Sequence, residues 1–275
     1  MRNVRRDERG AKRLKVYVMF GLKAFINQLS YRSEVWLRLF GNFVAILIQS
    51  EIWKSVLGNG QADGIAADQM VTYSIINTLL FSLLLHGVSG KVDESLKSGS
   101  IASELVKPLT YPFFLLSNGL GNALYQFVFT VIPSVLLAWF CFGIVPPSSG
   151  FHASAFILAL GMAVAISFLL GYLISLIAFW LLNHFALNWM MGGLMTIFSG
   201  SFLPLWYFPD SLKAIAGMLP FQYLGYFPAA VYLGTIPAAE VPLVFAKGLL
   251  WIALLLVIVN RLWRKAIRRL IVQGG

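Results

Sequence analysis

Between Pro108 and Pro209 the chain contains no Lys, Arg, Asp or Glu, and about 100 residues without an ionised side chain cannot form a water-exposed surface. This stretch must sit largely in lipid. The whole chain shares the bias: of 275 residues, 59% are hydrophobic and 12% charged, and the charged share is about half that of an average soluble domain. A soluble globular enzyme is thereby excluded. The formal net charge of +10 would suit a nucleic-acid partner only if the cations were spread along one face. They gather instead at the two ends. Arg2, Arg5, Arg6, Arg9, Lys12, Arg13 and Lys15 precede the first long apolar run, and Arg261, Arg264, Lys265, Arg268 and Arg269 close the last. Basic clusters flanking apolar spans mark the cytoplasmic side of a membrane. The single cysteine, Cys141, lies inside an apolar run, so there is no disulfide framework or cysteine metal site to consider. A short apolar patch from Val16 to Phe20, followed by Lys23 and Asn27, does not read as a secretory leader.

A spanning helix needs about 20 mostly apolar residues, and six runs meet that criterion: 35–57, 70–88, 113–142, 153–182, 185–202 and 241–262. An even number of crossings returns both ends to the cytoplasm. Loop 58–69, with Asp63 and Asp68 and no cation, then falls outside, while 89–111, with Lys91, Lys97 and Lys107, falls inside. The uncharged turn 143–151 is external and holds Pro146 and Pro147. The expected fold is all-α and integral to the plasma or inner membrane, with one transmembrane domain over 1–275. Its parts are a basic tail and interfacial helix over 1–34, a cytoplasmic segment over 89–111, and an extracellular or re-entrant segment over 203–240. The interfacial helix is expected from Leu14, Tyr17, Val18, Leu22, Phe25, Ile26 and Leu29, which fall on one helical stripe with Met19 and Phe20 off it. A charged tail with a frayed start is the alternative.

Ionisable residues in or beside the runs are Arg38, Glu51, Lys54 and Lys247. Each lies near a span end, where long side chains reach the head groups, and Glu51 and Lys54 are spaced to pair on one helix face. No run holds a carboxylate at mid-depth, so a proton- or sodium-coupled pump lacks its usual groups. The stretch Gly87-Val88-Ser89-Gly90-Lys91 has the wrong spacing for a phosphate-binding loop and no Ser or Thr after the lysine. Its Gly-x-Ser-Gly would place a protease nucleophile at Ser89, with His152 or His184 as base. The charges of Lys91, Asp93 and Glu94 that follow argue against that use. His86, His152 and His184 all sit near run ends and read as interfacial.

The inner segment 91–109 is split by Gly99: Val92 and Leu96 sit four apart before it, Ile101 and Leu105 four apart after it, and Pro108 ends the second piece. Such a hairpin suits docking in a groove of a soluble partner, or it is a solvated connection. The outer segment carries Gly200-Ser201-Phe202-Leu203-Pro204, Phe208-Pro209 and Leu219-Pro220-Phe221. Its prolines break a continuous helix while the composition stays apolar and aromatic, which fits short helices dipping into the outer leaflet.

The six-run plan, the interfacial helix, the E-x4-G-x8-P pattern from Glu94 to Pro108 and the outer Gly-x-Phe-x-Pro, Phe-Pro and Leu-Pro-Phe series together resemble the permease subunit of a type-2 ATP-binding-cassette (ABC) exporter. The resemblance implies separate ABC ATPase subunits that grip the inner segment, and a second permease, either a copy of this chain or a different homologue. It implies no cofactor on this chain, with ATP and Mg held by the partner ATPase. Coupling would then fall on Asp93, Glu94, Leu96, Gly99, Ile101, Glu104, Leu105 and Pro108. A substrate pathway at the permease interface would draw on Tyr73, Asn77 and Phe81 of the second run and Met191, Met195, Phe198 and Phe202 of the fifth. Pro204, Pro209 and Pro220 would lie in an outer gate. An aromatic, Met-rich lining suits amphipathic or apolar cargo, though the same residues suit ordinary helix packing. Gly192, Thr196 and Gly200, four apart, read as a small-residue packing face. Two other functions compete. One is a self-contained secondary carrier, which calls for ion dependence. The other is an intramembrane serine protease, which calls for Ser89.

Overall fold

The computed structural model describes the backbone of residues 2–58, 61–62, 64–84, 88–106, 109–177, 180 and 185–273. Side chains are described for the same residues except 2–13, 61–62, 88–89, 93, 96–97, 102, 185 and 269–273. Helix α1 (Arg2–Gln28) is followed by α2 (Arg32–Leu57), then by the short antiparallel pair β1 (Gln61–Ala62) and β2 (Ile65–Ala66), and by α3 (Ala67–Leu83). Next come α4 (Val88–Lys97), α5 (Ile101–Val106), α6 (Tyr111–Gln126), α7 (Ile132–Phe142), α8 (Gly150–Ile177) and α9 (Phe185–Phe198). The chain ends with α10 (Asp210–Met218), α11 (Tyr226–Leu233) and α12 (Val241–Gln273).

Among the described residues, four helical segments are long and apolar enough to cross a membrane: Arg32–Leu57, Tyr111–Phe142, Gly150–Ile177 and Val241–Arg268. The runs expected at 70–88 and 185–202 are shorter as helices, with 17 residues in α3 and 14 in α9. At about 1.5 Å per residue these reach about 26 and 21 Å, against about 30 Å of hydrocarbon. Helix α3 stops because Leu84 turns extended (φ −66°, ψ 144°), and Val88 already belongs to α4. Helix α9 stops before Gly200, whose φ of 73° suits glycine. The fourth run ends as a described helix at Ile177, five residues before the expected limit of 182, and the sixth runs on through its basic end to Gln273.

The third run is interrupted. A π-turn over Phe127–Val131 joins α6 to α7, and within it the Ile132 N–H reaches back to the Phe127 carbonyl. Pro133 supplies the cause: it has no N–H to give, and its ring would strike the carbonyl of the preceding turn in a regular helix. Beside this irregularity, Asn42 of α2 donates to Ser134 of α7 at 3.3 Å and to Ser82 of α3 at 3.5 Å, tying three helices at one level.

Helix α8 is the centre of the fold. Of its most apolar stretch 61% is buried, against 11% for α2 and 17% for Val241–Arg268. Ala155, Ala159, Met162, Ala163 and Ile166 recur at helical spacing on its buried side, and from Ser167 to Tyr172 every residue is buried. Small residues let α11 and α12 close on it. Helix α1 differs from its expected stripe. It lies along α6 on Tyr17, Gly21, Ala24 and Phe25, while Leu14, Val18, Leu22 and Ile26 stay uncovered. The Thr110 N–H donates to the Tyr17 hydroxyl at 2.9 Å, and the Ser117 hydroxyl to the Tyr17 carbonyl. Phe25 meets Tyr125 edge-on at 5.7 Å. A stripe drawn by period alone merges these two neighbouring faces, because both are apolar.

Candidate functional site

The inner segment folds as two helices on either side of Gly99, whose φ of 71° reverses the chain with open space around it. Val92 and Ile101 are its anchors, both buried in the main core with Leu80, Tyr111 and Leu115. Leu105 packs on the edge of the same cluster. The Ser95 hydroxyl donates to Glu104 at 3.3 Å, closing one helix on the other, and Ser98 donates to the Glu94 carbonyl at 2.7 Å. Glu94 stays exposed and Val106 is 84% exposed. An uncovered valine at the far end of α5 is a feature that the apolar spacing did not single out, since Val106 falls off the Ile101 and Leu105 stripe. The backbones of Asp93 and Leu96 lie in α4, their side chains fall outside the described residues, and Pro108 falls outside them altogether.

Behind the hairpin, a cavity of about 300 Å³ is lined by Lys91, Glu94, Ser95, Ser98, Ser100 and Glu104, with Phe114, Leu115 and Asn118 of α6. The wall strips water from part of the Lys91 side chain, which lowers the pKa of its ammonium against the opposing pull of Glu94 and then Glu104. Lys91 and Asn118 were not expected here, because nothing in the spacing of the hairpin shows which residues of α6 stand behind it. Tyr111 lies beside Glu104 and Ser95, stacked on Trp263 at 5.4 Å, and Tyr172 tilts against the same Trp263 at 6.1 Å. The Tyr172 hydroxyl is buried and, among the described residues, has no hydrogen-bond partner. The hairpin is thus seated on a rigid aromatic stack that joins α6, α8 and α12.

The outer segment divides as its prolines direct. Pro204 precedes a single 3-10 turn (Leu205–Tyr207), Pro209 precedes α10, and Pro220 opens a second 3-10 turn (Pro220–Leu224). Each stands where its missing N–H leaves no helical bond unmade. Trp206 is held edge-on to Tyr73 at 5.2 Å, and Tyr207 stacks on Trp53 at 5.8 Å. The Tyr73 hydroxyl donates to the Gly200 carbonyl at 2.5 Å, which pins the segment to α3.

Among the residues expected along a pathway, Tyr73 and Asn77 are fully buried inside the subunit. Asn77 donates to the Tyr73 carbonyl at 3.0 Å, and its carbonyl oxygen, which has no hydrogen-bond partner among the described residues, lies where a side chain on Gly225 would be. Met195 is buried, while Phe81, Met191 and Phe198 are half-buried against the main core. Phe202 is 66% exposed. The structure adds Trp189, Met190 and Ile197, which leave a broad apolar face of α9 uncovered. Gly192 and Gly193 have open space where a side chain would stand, so among the described residues the small-residue row of α9 has no neighbour until Gly200, which meets Tyr226 and Leu205.

Two charge expectations hold in part. Lys54 pairs with Glu51 at 3.3 Å on the exposed face of α2, while Arg38 is bound to Glu34 at 2.6 Å. His152 takes a packing role: Ser149 lies 2.8 Å from Nδ1 and the Ile236 carbonyl 3.4 Å from Nε2. It begins α8, and the helix rise separates it by about 30 Å from Tyr172 near the hairpin that carries Ser89. A nucleophile and base so placed cannot meet. His86 and His184 lie outside the described residues.

No curated protein matches the chain significantly. A family profile described as ABC-2 family transporter protein matches residues 60–274, which takes in α3 to α12 with the inner hairpin and the outer proline segment. That match covers most of a multi-pass helical chain, and the protein therefore belongs to the ABC-2 family of transporter proteins, whose members are the membrane components of ABC transporters.

Proposed function

We propose that the chain is the permease subunit of an ATP-driven exporter with six crossings, α3 and α9 being its two short ones. In this reading it carries an amphipathic or apolar substrate outward along an interface with a second permease, using ATP hydrolysed by separate ABC ATPase subunits. The termini are cytoplasmic, α1 lies in the inner interface, and α4 and α5 form the coupling hairpin. One observation carries the proposal: the hairpin is anchored in the core by Val92 and Ile101 while Glu94 and Val106 remain uncovered. A partner that grips the exposed side must move the anchors, and close-packed interiors pass such a shift on as a rigid-body displacement rather than absorbing it. The shift reaches α8 and α12 through Tyr111, Tyr172 and Trp263. The uncovered face of α9, with Trp189, Met190, Ile197 and Phe202, supports an apolar interface for the second permease and its cargo. The short turns at Pro204, Pro209 and Pro220, pinned by Tyr73, act as the outer closure.

The test is to release the full chain gently from its native membrane and identify its companions by mass spectrometry. A P-loop ATPase is expected with the wild type. It should be lost in Glu94→Ala combined with Val106→Asp, with membrane insertion intact. Recovery of the chain alone, under conditions that preserve other membrane complexes, would overturn the proposal.

A further inference from the structure

One stripe of α12 changes character along its length. Leu250, Leu254, Val257, Arg261, Arg264 and Arg268 follow one another at intervals of four and three residues, which keeps them on one face of a helix, with Lys265 beside them. The apolar part is uncovered: Leu250 is 70% exposed, Val257 47% and Leu254 45%. All four cations are exposed as well. At about 100° per residue they lie about 100–200° around the helix from Trp263. That residue belongs to the opposite, packed side, where Leu255, Val259 and Ala266 join the core with α8. The stripe therefore faces away from the rest of the subunit, and the stacking of Trp263 on Tyr111 holds it in that direction.

The change falls at the depth where a membrane itself changes. From Val241, about 20 residues of helix cross about 30 Å of hydrocarbon, which brings α12 to Arg261. No charge stands between Lys247 and Arg261. From Arg261 to Arg268 the helix rises about 10 Å more, through the layer of head groups. Among the described residues none of the four cations has an ion-pair partner. Uncovered apolar side chains that end in unpaired cations are complementary to a molecule with an apolar chain and an anionic head. We propose that this face of α12 binds an anionic membrane phospholipid, with an acyl chain along Leu250, Leu254 and Val257 and its phosphate among Arg261, Arg264 and Arg268. Guanidinium groups suit that phosphate because their donors meet its oxygens in pairs. A second copy of this chain is a poorer occupant: two copies in one membrane run parallel, which would set these cations against each other at one depth. An acidic soluble protein would meet the cations and leave the leucines bare.

The experiment places the photoreactive side chain benzoylphenylalanine at Val257 of the full chain, with any subunits that accompany it, in bilayer discs of equal phosphatidylglycerol and phosphatidylcholine. Adducts formed on illumination are identified by mass spectrometry. Phosphatidylglycerol adducts are expected to outnumber phosphatidylcholine adducts about tenfold, since each cation at a membrane surface favours anionic lipid several-fold. Arg261→Gln with Arg264→Gln should bring the ratio close to one. The same probe at Leu136, exposed on α7 toward the far end of its segment from Tyr111, should show no preference. If the double variant loses the wild-type unfolding midpoint, salt carries the test: about 1 M shortens the screening length to about 3 Å and should lower the wild-type ratio about threefold or more. Equal adducts of the two lipids at Val257, a preference that survives neutralisation or salt, or an equal preference at Leu136 would overturn the proposal. So would an adduct at Val257 with a second copy or with an accompanying subunit, which would put protein where the lipid should be.

Discussion

Replacing Gly121 by alanine tests how α1 is held. A Cβ built there would stand 2.0 Å from the Gly21 carbonyl oxygen and 2.8 Å from its carbon. Both are backbone atoms, with no rotamer through which to retreat, so α1 must move off α6 by roughly 1.5 Å to restore ordinary contact. That shift breaks the 2.9 Å hydrogen bond from Thr110 to Tyr17 and opens the Phe25–Tyr125 pair. Overpacking costs about 1–3 kcal/mol, and the lost hydrogen bond adds about 1 kcal/mol. The better helix propensity of alanine returns about 0.5–1 kcal/mol. A net loss of about 2 kcal/mol is expected. Gly161→Ala is the control, since nothing lies within 4 Å of its Cβ and the propensity term stands alone there. It should stabilise the chain by about 0.5–1 kcal/mol. Thermal unfolding of the solubilised protein reads both. The chain has a single cysteine, exposed Cys141, so Cys141→Ala with Ala24→Cys gives a thiol buried at the interface of α1. That thiol should resist labelling in the wild-type background and react once Gly121 is alanine. An unchanged unfolding midpoint together with a still-protected thiol would refute the reasoning.

Tyr73→Phe removes the hydroxyl bound to the Gly200 carbonyl and should cost about 1–2 kcal/mol. Proteolysis between Ser201 and Pro204 should quicken, and an unchanged cleavage rate would count against the pinning of the outer segment. Ile101→Ala should lower stability by about 2–5 kcal/mol because the side chain is buried in the main core. Val106→Ala should change it by less than about 0.5 kcal/mol while weakening recovery of an ATPase, as measured by co-purification. Asn42→Leu should cost only about 0.6–1.7 kcal/mol, since hydrogen bonds between membrane helices contribute little beyond packing, and a midpoint shift as large as that of Ile101→Ala would contradict this. Gly99→Ala forces an L side chain into φ 71° in otherwise open space and should cost about 1–2 kcal/mol, seen as faster hydrogen exchange in α4 and α5.

The spacing around Gly99 showed two short helices, and the three outer prolines showed that no continuous helix runs through the outer segment, because backbone chemistry acts locally. The π-turn is not legible in the same way: Pro133, inside an apolar run, announces a disturbance without saying whether the helix ends, kinks or widens. The polar cavity was equally out of reach, since Lys91 and Asn118 meet only after α6 has passed behind the hairpin. Histidine at the start of α8 read as interfacial, while its buried hold between Ser149 and Ile236 depends on the approach of the segment after α11.

By itself the sequence determined that this chain is a multi-pass membrane protein, that its cations gather at the two ends, and that the backbone turns at Gly99 and at the outer prolines. A charge-free stretch, clustered cations, glycine and proline each act through solvation or local sterics, and these do not wait for a fold. Only the tertiary structure decided which apolar faces are inside: that α8 is the centre, that Tyr73, Asn77 and Met195 turn inward while Trp189 and Phe202 do not, and that α1 packs on Gly21 rather than on Leu22. In water, polarity separates a helix's buried face from its open one. In lipid both faces are apolar, so the choice passes to shape and close approach, which belong to pairs of helices rather than to any one of them.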